Sequence, residues 1–225
     1  MSSPRFIVLG LLGVLLWAGP AHAQDAQQKA LDALKALGGS WERDDKAPGK
    51  PIKTLTVRGA KVTDEDLARL EALPTLQKLD LQMTRVTDKG LAHLKRLKDL
   101  QELHLVLSGV TGTGLEHLKK LPKLRHLYLG GAQVTDKSIS ALKDFTKLEK
   151  LGLVSTAVTD AGLATLKPLK QLQLLSLYGS PVTDEGLKHL KGLTKLTQLY
   201  LGSTKVTETG VADLQKALPN VQVFR

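Results

Sequence analysis

Three histidines fall at one phase of a regular spacing: His93 and His117 are 24 residues apart, and His189 follows 72 residues further on. Imidazoles brought to one face in this way are raw material for a zinc site, which needs about four nitrogen, sulfur or oxygen ligands. No carboxylate stands beside them at that phase, Asp213 lying one spacing beyond His189, and the chain has no cysteine. No metal and no other cofactor is expected. A second column, Asp64, Asp88, Asp136, Asp160 and Asp184, offers oxygen chemistry suited to calcium. Each acid precedes a short apolar run of helical spacing, and a role at the helix start accounts for it. Hydrolytic chemistry is no better served. Asp80, His104 and Ser176 share a phase, but three spacings separate His104 from Ser176, about 14 Å at ordinary strand separation. A nucleophile must lie within hydrogen-bond reach of its base. The sequence also lacks a GxSxG elbow, an HExxH helix and a glycine-rich phosphate loop. It reads as a non-enzyme.

Side chains suited to holding a partner are better represented. With Leu76 counted as position 1 of the spacing, the three tyrosines fall at positions 5 (Tyr128, Tyr200) and 7 (Tyr178). His104 joins position 5, His126 stands at 3, and Val106 and Val154 at 7, with Leu107 and Leu174 close by. Tyrosine combines a large contact area with one hydroxyl and is enriched where proteins meet. A different stripe occupies position 20: Lys95, Lys119, Lys143, Lys167 and Lys191. With a formal charge of +10, that stripe is the alternative site, for a polyanion of the cell envelope. No aromatics interleave with the lysines as a single-stranded nucleic-acid platform requires, and nucleic acid is not an expected partner.

The spacing that aligns these residues is an internal repeat, and the repeat dictates the elements. From Leu76 the chain reads LQKLDLQMTRVTDKGLAHLKRLKD, then LQELHLVLSGVTGTGLEHLKKLPK, and the period of 24 holds to Lys195. Units start at 52, 76, 100, 124, 148, 172 and 196, the last counted one residue longer, with a terminal strand at 221–225. Aliphatic residues at positions 4 and 6 alternate as on a strand with one buried face. Apolar residues at 16, 19 and 22 mark one face of a short helix. Threonine at 12 and an acid at 13, the latter in six of seven units with Gly112 the exception, stand where the helix begins. One unit cannot bury its own apolar face, so units must stack, parallel strands on one side and helices on the other. Positions 2, 3, 5, 7 and 8 then line the inner, concave side and position 20 the outer one.

The LxxLxL pattern, the small residue at 9 and the valine at 11 resemble leucine-rich repeats, and VTDxGL is similar to the subclass found in exported bacterial leucine-rich-repeat proteins and in the repeat part of F-box proteins. The resemblance implies an α/β fold: a right-handed solenoid with a parallel concave sheet, short helices on the convex side, and a role in protein binding. Position 9 departs from the family's usual Asn or Cys, carrying Thr, Ser or Ala, which weakens the side-chain ladder expected there. No F-box precedes the repeats.

The ends differ. Arg5, the apolar run Phe6–Trp17 and Ala21-His22-Ala23 have the layout of a secretory signal peptide over residues 1–23, cleaved near Ala23. Export to the periplasm or the cell exterior is expected, with no membrane-spanning segment in the mature chain. Residues 24–51 carry Ala30, Leu31, Leu34 and Leu37 at helical spacing, then Gly38-Gly39 and a short strand holding Trp41. They are expected to form an N-terminal helical cap on a repeat domain spanning 52–225. The terminal strand leaves an open edge suited to weak self-association. The sequence thus predicts a non-catalytic, exported module that binds a protein or peptide through His104, Val106, His126, Tyr128, Val154, Tyr178 and Tyr200.

Overall fold

The structure, a computed structural model, describes residues 20–131 and 133–225. It opens with helix α1 (Pro20–Ala36) and strand β1 (Ser40–Arg43). Eight strands follow at the repeat interval: β2 (Ile52–Thr56), β3 (Lys78–Asp80), β4 (Glu102–Val106), β5 (His126–Gly130), β6 (Lys150–Val154), β7 (Leu174–Ser176), β8 (Gln198–Tyr200) and β9 (Gln222–Phe224). They form one open sheet in sequence order, with β1 antiparallel to β2 and every later pair parallel. Register never slips between repeats: Leu103 faces Leu127, which faces Leu151, and Tyr128 lies opposite both His104 and Gly152. A column of the repeat is therefore a row of touching neighbours.

The buried residues are those the period selects. In the third unit Leu100, Leu103, Leu105, Val110, Leu115, Leu118 and Leu121 are all at most 6% exposed, and one apolar core, aliphatic but for Phe145, runs from Leu31 to Val221. At the amino end Leu31 and Leu34 of α1 are buried in this core, with Leu37 and Trp41 packed against it. Gly38, at φ +87°, ends the helix, and the Gly39 amide bonds back to the Leu34 carbonyl. Residues 20–23 of the expected leader belong to α1; the rest of the leader lies outside the described residues.

The outer connections depart from regular α-helix. Three are wholly 3-10, Gly90–Arg96, Thr113–Lys120 and Ser138–Asp144, and α2 (Asp64–Leu67), α3 (Asp160–Leu163) and α4 (Asp184–Leu187) are single turns that run on into 3-10 helix. The apolar spacing explains it. Positions 16, 19 and 22 recur every three residues, and a 3-10 helix stacks residues i and i+3. In α5 (Glu208–Ala217) and its C-cap the buried residues Gly210, Leu214 and Leu218 recur every four, and that segment is a regular α-helix. Beyond it β9 pairs at the usual offset of 24, Leu199 with Val223 and Tyr200 with Phe224.

The acid at position 13 does not cap its own helix, as the sequence alone suggests; it reaches into the following repeat. Asp136 accepts the Thr159 amide at 2.7 Å and the Thr159 hydroxyl at 2.6 Å. Asp64 holds Thr87, Asp88 holds Thr111, Asp160 holds Thr183 and Asp184 holds Thr207 in the same way. Position 15 must then be glycine, because a Cβ on Gly90, Gly162, Gly186 or Gly210 would overlap the preceding unit's carboxylate. The exceptions obey the rule. After Gly112 no carboxylate arrives, position 15 is Ser138, and its hydroxyl accepts the Thr135 amide at 2.6 Å. The first unit has no repeat before it, position 15 is Asp66, and that carboxylate accepts the Thr63 amide at 3.0 Å. The hydroxyls at position 9, by contrast, mostly close locally: Thr84, Ser108 and Thr204 each bond the carbonyl three residues back.

Candidate functional site: the open face of the sheet

Side chains on a strand alternate between faces, so positions 3, 5 and 7 of each repeat point away from the core. The parallel register lines them up across the sheet. His104 and Val106 stand on β4, His126 and Tyr128 on β5, Val154 on β6, Tyr200 on β8, and Tyr178 just past β7. All seven predicted residues share this face, but not one cluster. His104 stacks on Tyr128, ring centroids 4.4 Å apart and 18° from parallel, while Tyr200 stacks on Phe224 at 4.6 Å and 13°. Between these pairs lie Gly152 and Ser176, and the Tyr128 ring leans over Gly152, where a Cβ would meet it at 2.8 Å. Tyr178 leans over Gly202 in the same manner and is 49% exposed.

Toward the amino end the face is charged. Glu102 accepts from Lys78 at 2.7 Å, from His104 Nε2 at 2.5 Å and from His126 Nδ1 at 3.2 Å. Burial works to raise its pKa, but the hydrogen bonds from Lys78, His104 and His126 outweigh it and hold the carboxyl at about 2. The Gln82 amide lies 3.4 Å from His104 Nδ1. Asp80 takes both Arg58 guanidinium contacts and the Gln82 amide N–H. Burial raises that carboxyl as well, and the Arg58 and Gln82 hydrogen bonds bring it below its ordinary value. Burial, reinforced by the Glu102 charge, raises the Tyr128 hydroxyl, so it remains a protonated donor. A depression of about 300 Å³ runs along this side, lined by Lys53, Lys78, Glu102, Arg125, His126 and Glu149 among others. Among the described residues no three His, Cys, Asp or Glu side chains are placed to share a metal ion.

Two features of the face escape the column reading. Glu102 is one; its position 3 borders both histidines, and the register of columns 3 and 5 was the available signal. Met83 is the other. It stands at position 8, where the backbone is left-handed in every unit: Gly59, Gly131 and Gly179 in three, Ser155 and Ser203 in two, Met83 (φ 59°) and Leu107 (φ 56°) in the remaining pair. A bulky side chain costs about 1 kcal/mol there, and Met83 and Leu107 are 56% and 58% exposed, outside the core. The signal was a large residue in an otherwise Gly/Ser column.

The lysine column lies on the outer connections, all five residues exposed. One of its five members is engaged: Lys119 pairs with Glu116 at 2.8 Å and with Asp144 at 2.6 Å. Hydrogen bonds from Asp144 and Glu116 raise the Lys119 pKa accordingly. Several surrounding lysines bridge repeats, Lys123 to Asp99 at 2.5 Å, Lys98 to the Lys120 carbonyl and Lys170 to the Gly192 carbonyl.

The sequence matches the leucine-rich-repeat family at residues 72–95 and 120–143. No curated protein sequence matches at a significant level. Among solved structures, internalin InlF from Listeria monocytogenes is similar at 22% identity and TM-score 0.46, over 71% of this chain and 56% of that one. Internalin C2 from the same organism gives 22% and 0.49 over 76% and 80%, and the PEPR1–AtPEP1 structure 18% and 0.48 over 82% and 25%. The chain thus spans about half of the InlF chain. Two matched repeats and eight parallel strands stacked at a 24-residue interval place the chain in a known class: it is a leucine-rich-repeat protein.

Proposed function

We propose that this protein is an exported, non-catalytic interaction module that binds a protein or peptide through the open, concave face of its sheet. One observation carries the reading: every tyrosine of the chain stands on this face, together with exposed Leu107 and Met83, although the core uses none of them. Aromatic and large apolar side chains left outside a complete core are the usual material of a binding surface. Export rests on the leader at residues 1–23, and among the described residues no helix is long and apolar enough to cross a membrane. Residues 24–51 act as the cap of the 52–225 repeat domain, and the β9 edge supplies at most a weak self-contact. The convex lysines are the weaker candidate for a site, since Lys119 among them is neutralised by two acids.

The test is site-specific photo-crosslinking in cells making the full chain. A benzophenone side chain at Tyr178 is expected to trap a discrete adduct, and one at Lys143 is not. Adducts from Lys143 alone would transfer the function to the convex face.

A further inference from the structure

The open face is divided lengthwise. Along positions 7 and 8 runs an apolar stripe, Met83, Val106, Leu107, Val154 and Tyr178; along positions 2 and 3 runs a charged one. The charged stripe is unbalanced. Its acids are already answered from within the sheet, Glu102 by Lys78 and two histidines and Glu149 by Arg125 at 3.5 Å, and Asp80 in the middle row is answered by Arg58. Lys53 and Lys150 stand on the same face with no carboxylate within ion-pair distance among the described residues. A negative charge from outside is what would complete this surface.

The spacing of the stripes indicates the shape of what brings it. Lys150 and Val154 lie on one strand four residues apart, about 13 Å, close to the 10–12 Å diameter of an α-helix with its side chains. An extended segment lying across the strands is too narrow to touch both stripes. In the row between them Gly152 is covered by the Tyr128 ring and its neighbour is the small Ser176. From β3 to β7 the apolar stripe crosses four strand intervals, about 19 Å, the length of about thirteen helical residues. Met83 and Leu107 keep a left-handed backbone that favours glycine, as five other repeats hold Gly or Ser there, and their exposure is unexplained by the fold.

We infer that the occupant of this face is an acidic amphipathic helix of a partner protein, about thirteen residues long. Its apolar flank lies on Leu107, Val154 and Tyr178 and its carboxylates reach Lys150. The inference rests on the open face being the binding surface, and the experiment separates the two. A phage-displayed library of random 16-residue peptides is panned on the full chain, and enriched peptides are measured by fluorescence anisotropy against wild type, Lys150→Glu and the double variant Leu107→Ser/Tyr178→Ser. Serine suits the left-handed position 8, as Ser155 and Ser203 show, and unchanged urea unfolding of each variant confirms its fold. The expected peptides carry apolar residues at i, i+3, i+4 and i+7 beside Asp or Glu. Their affinity falls about tenfold or more in Lys150→Glu, falls as salt is raised, and returns to that variant when the peptide acids become lysine. Peptides lost in the double variant but indifferent to Lys150→Glu, or basic, or without helical period, overturn the acidic helix and leave the face. Peptides indifferent to both variants, or no enrichment at all, overturn the face as well.

Discussion

The turn that leaves each strand and the open face of the sheet are built on the same 24-residue repeat, and they treat it in opposite ways. On the turn side the residue types hardly vary: valine at 11, threonine at 12, an acid at 13, glycine at 15. Where one member changes, its contact partner changes with it, as Gly112 and Ser138 do. On the open face the columns at positions 3, 5 and 7 change from unit to unit. Position 5 reads Thr56, Asp80, His104, Tyr128, Gly152, Ser176, Tyr200. A side chain that must fit its copy in the next repeat is pinned to one type, whereas one that points into solvent is free to be chosen for something else. The turn column is therefore where the fold is held, and the open face is where a partner is to be sought.

The sharpest way to break that contrast is to exchange a junction. Gly162→Ser puts a Cβ into the space of the Asp136 carboxylate and displaces it from Thr159. Overpacking and the two lost hydrogen bonds should cost about 2–4 kcal/mol in urea unfolding. Adding Asp136→Gly recreates the Gly112–Ser138 pairing, and most of that loss should return, a strongly non-additive result. A double variant no more stable than Gly162→Ser would show that the two positions are not coupled as described. Next in size is Asp160→Ala, which strips the acceptor from the Thr183 amide and hydroxyl, bonded at 2.8 and 2.6 Å. An unfolding loss of about 1–3 kcal/mol is expected, and a loss below about 0.5 kcal/mol would reduce the column to a surface ornament.

Much of this architecture was legible because the repeat is nearly uncorrupted. Strand, turn and helix follow from the apolar columns, and the sharing of one face by Tyr128, Tyr178 and Tyr200 follows from counting. The parts that were not legible depend on what happens between repeats. Asp136 beside Thr135 looks like a cap in one dimension; only stacking shows that its partner is Thr159, 23 residues on. The 3-10 character was present in the spacing of three at 16, 19 and 22, against four in α5, but both spacings are read as helix unless the period is resolved. Glu102 was missed because a residue typed as a charge draws notice only once Lys78, His104 and His126 converge on it.

The two smallest effects sharpen the other half of the contrast. Glu102 is a case in which the open face contributes to stability. Its carboxyl is held at about 2 against an ordinary 4.5, so the folded form binds its proton less readily than the unfolded chain. The contribution is complete above pH 4.5 and is lost as pH falls toward 2. With the side chain 21% exposed, it amounts to something on the order of 2 kcal/mol. Glu102→Gln should flatten that part of the unfolding-versus-pH curve, and an unchanged slope would place the acid loss elsewhere. Tyr178→Ala comes last. The ring is 49% exposed and rests on Gly202, outside the core, so urea unfolding should move by no more than about 0.5 kcal/mol. A loss near the Leu→Ala range of about 2–5 kcal/mol would mean that the tyrosine is held in place by the fold after all. A neutral result leaves its presence on the open face to be explained by what binds there, the step on which the photo-crosslinking at the same position then decides.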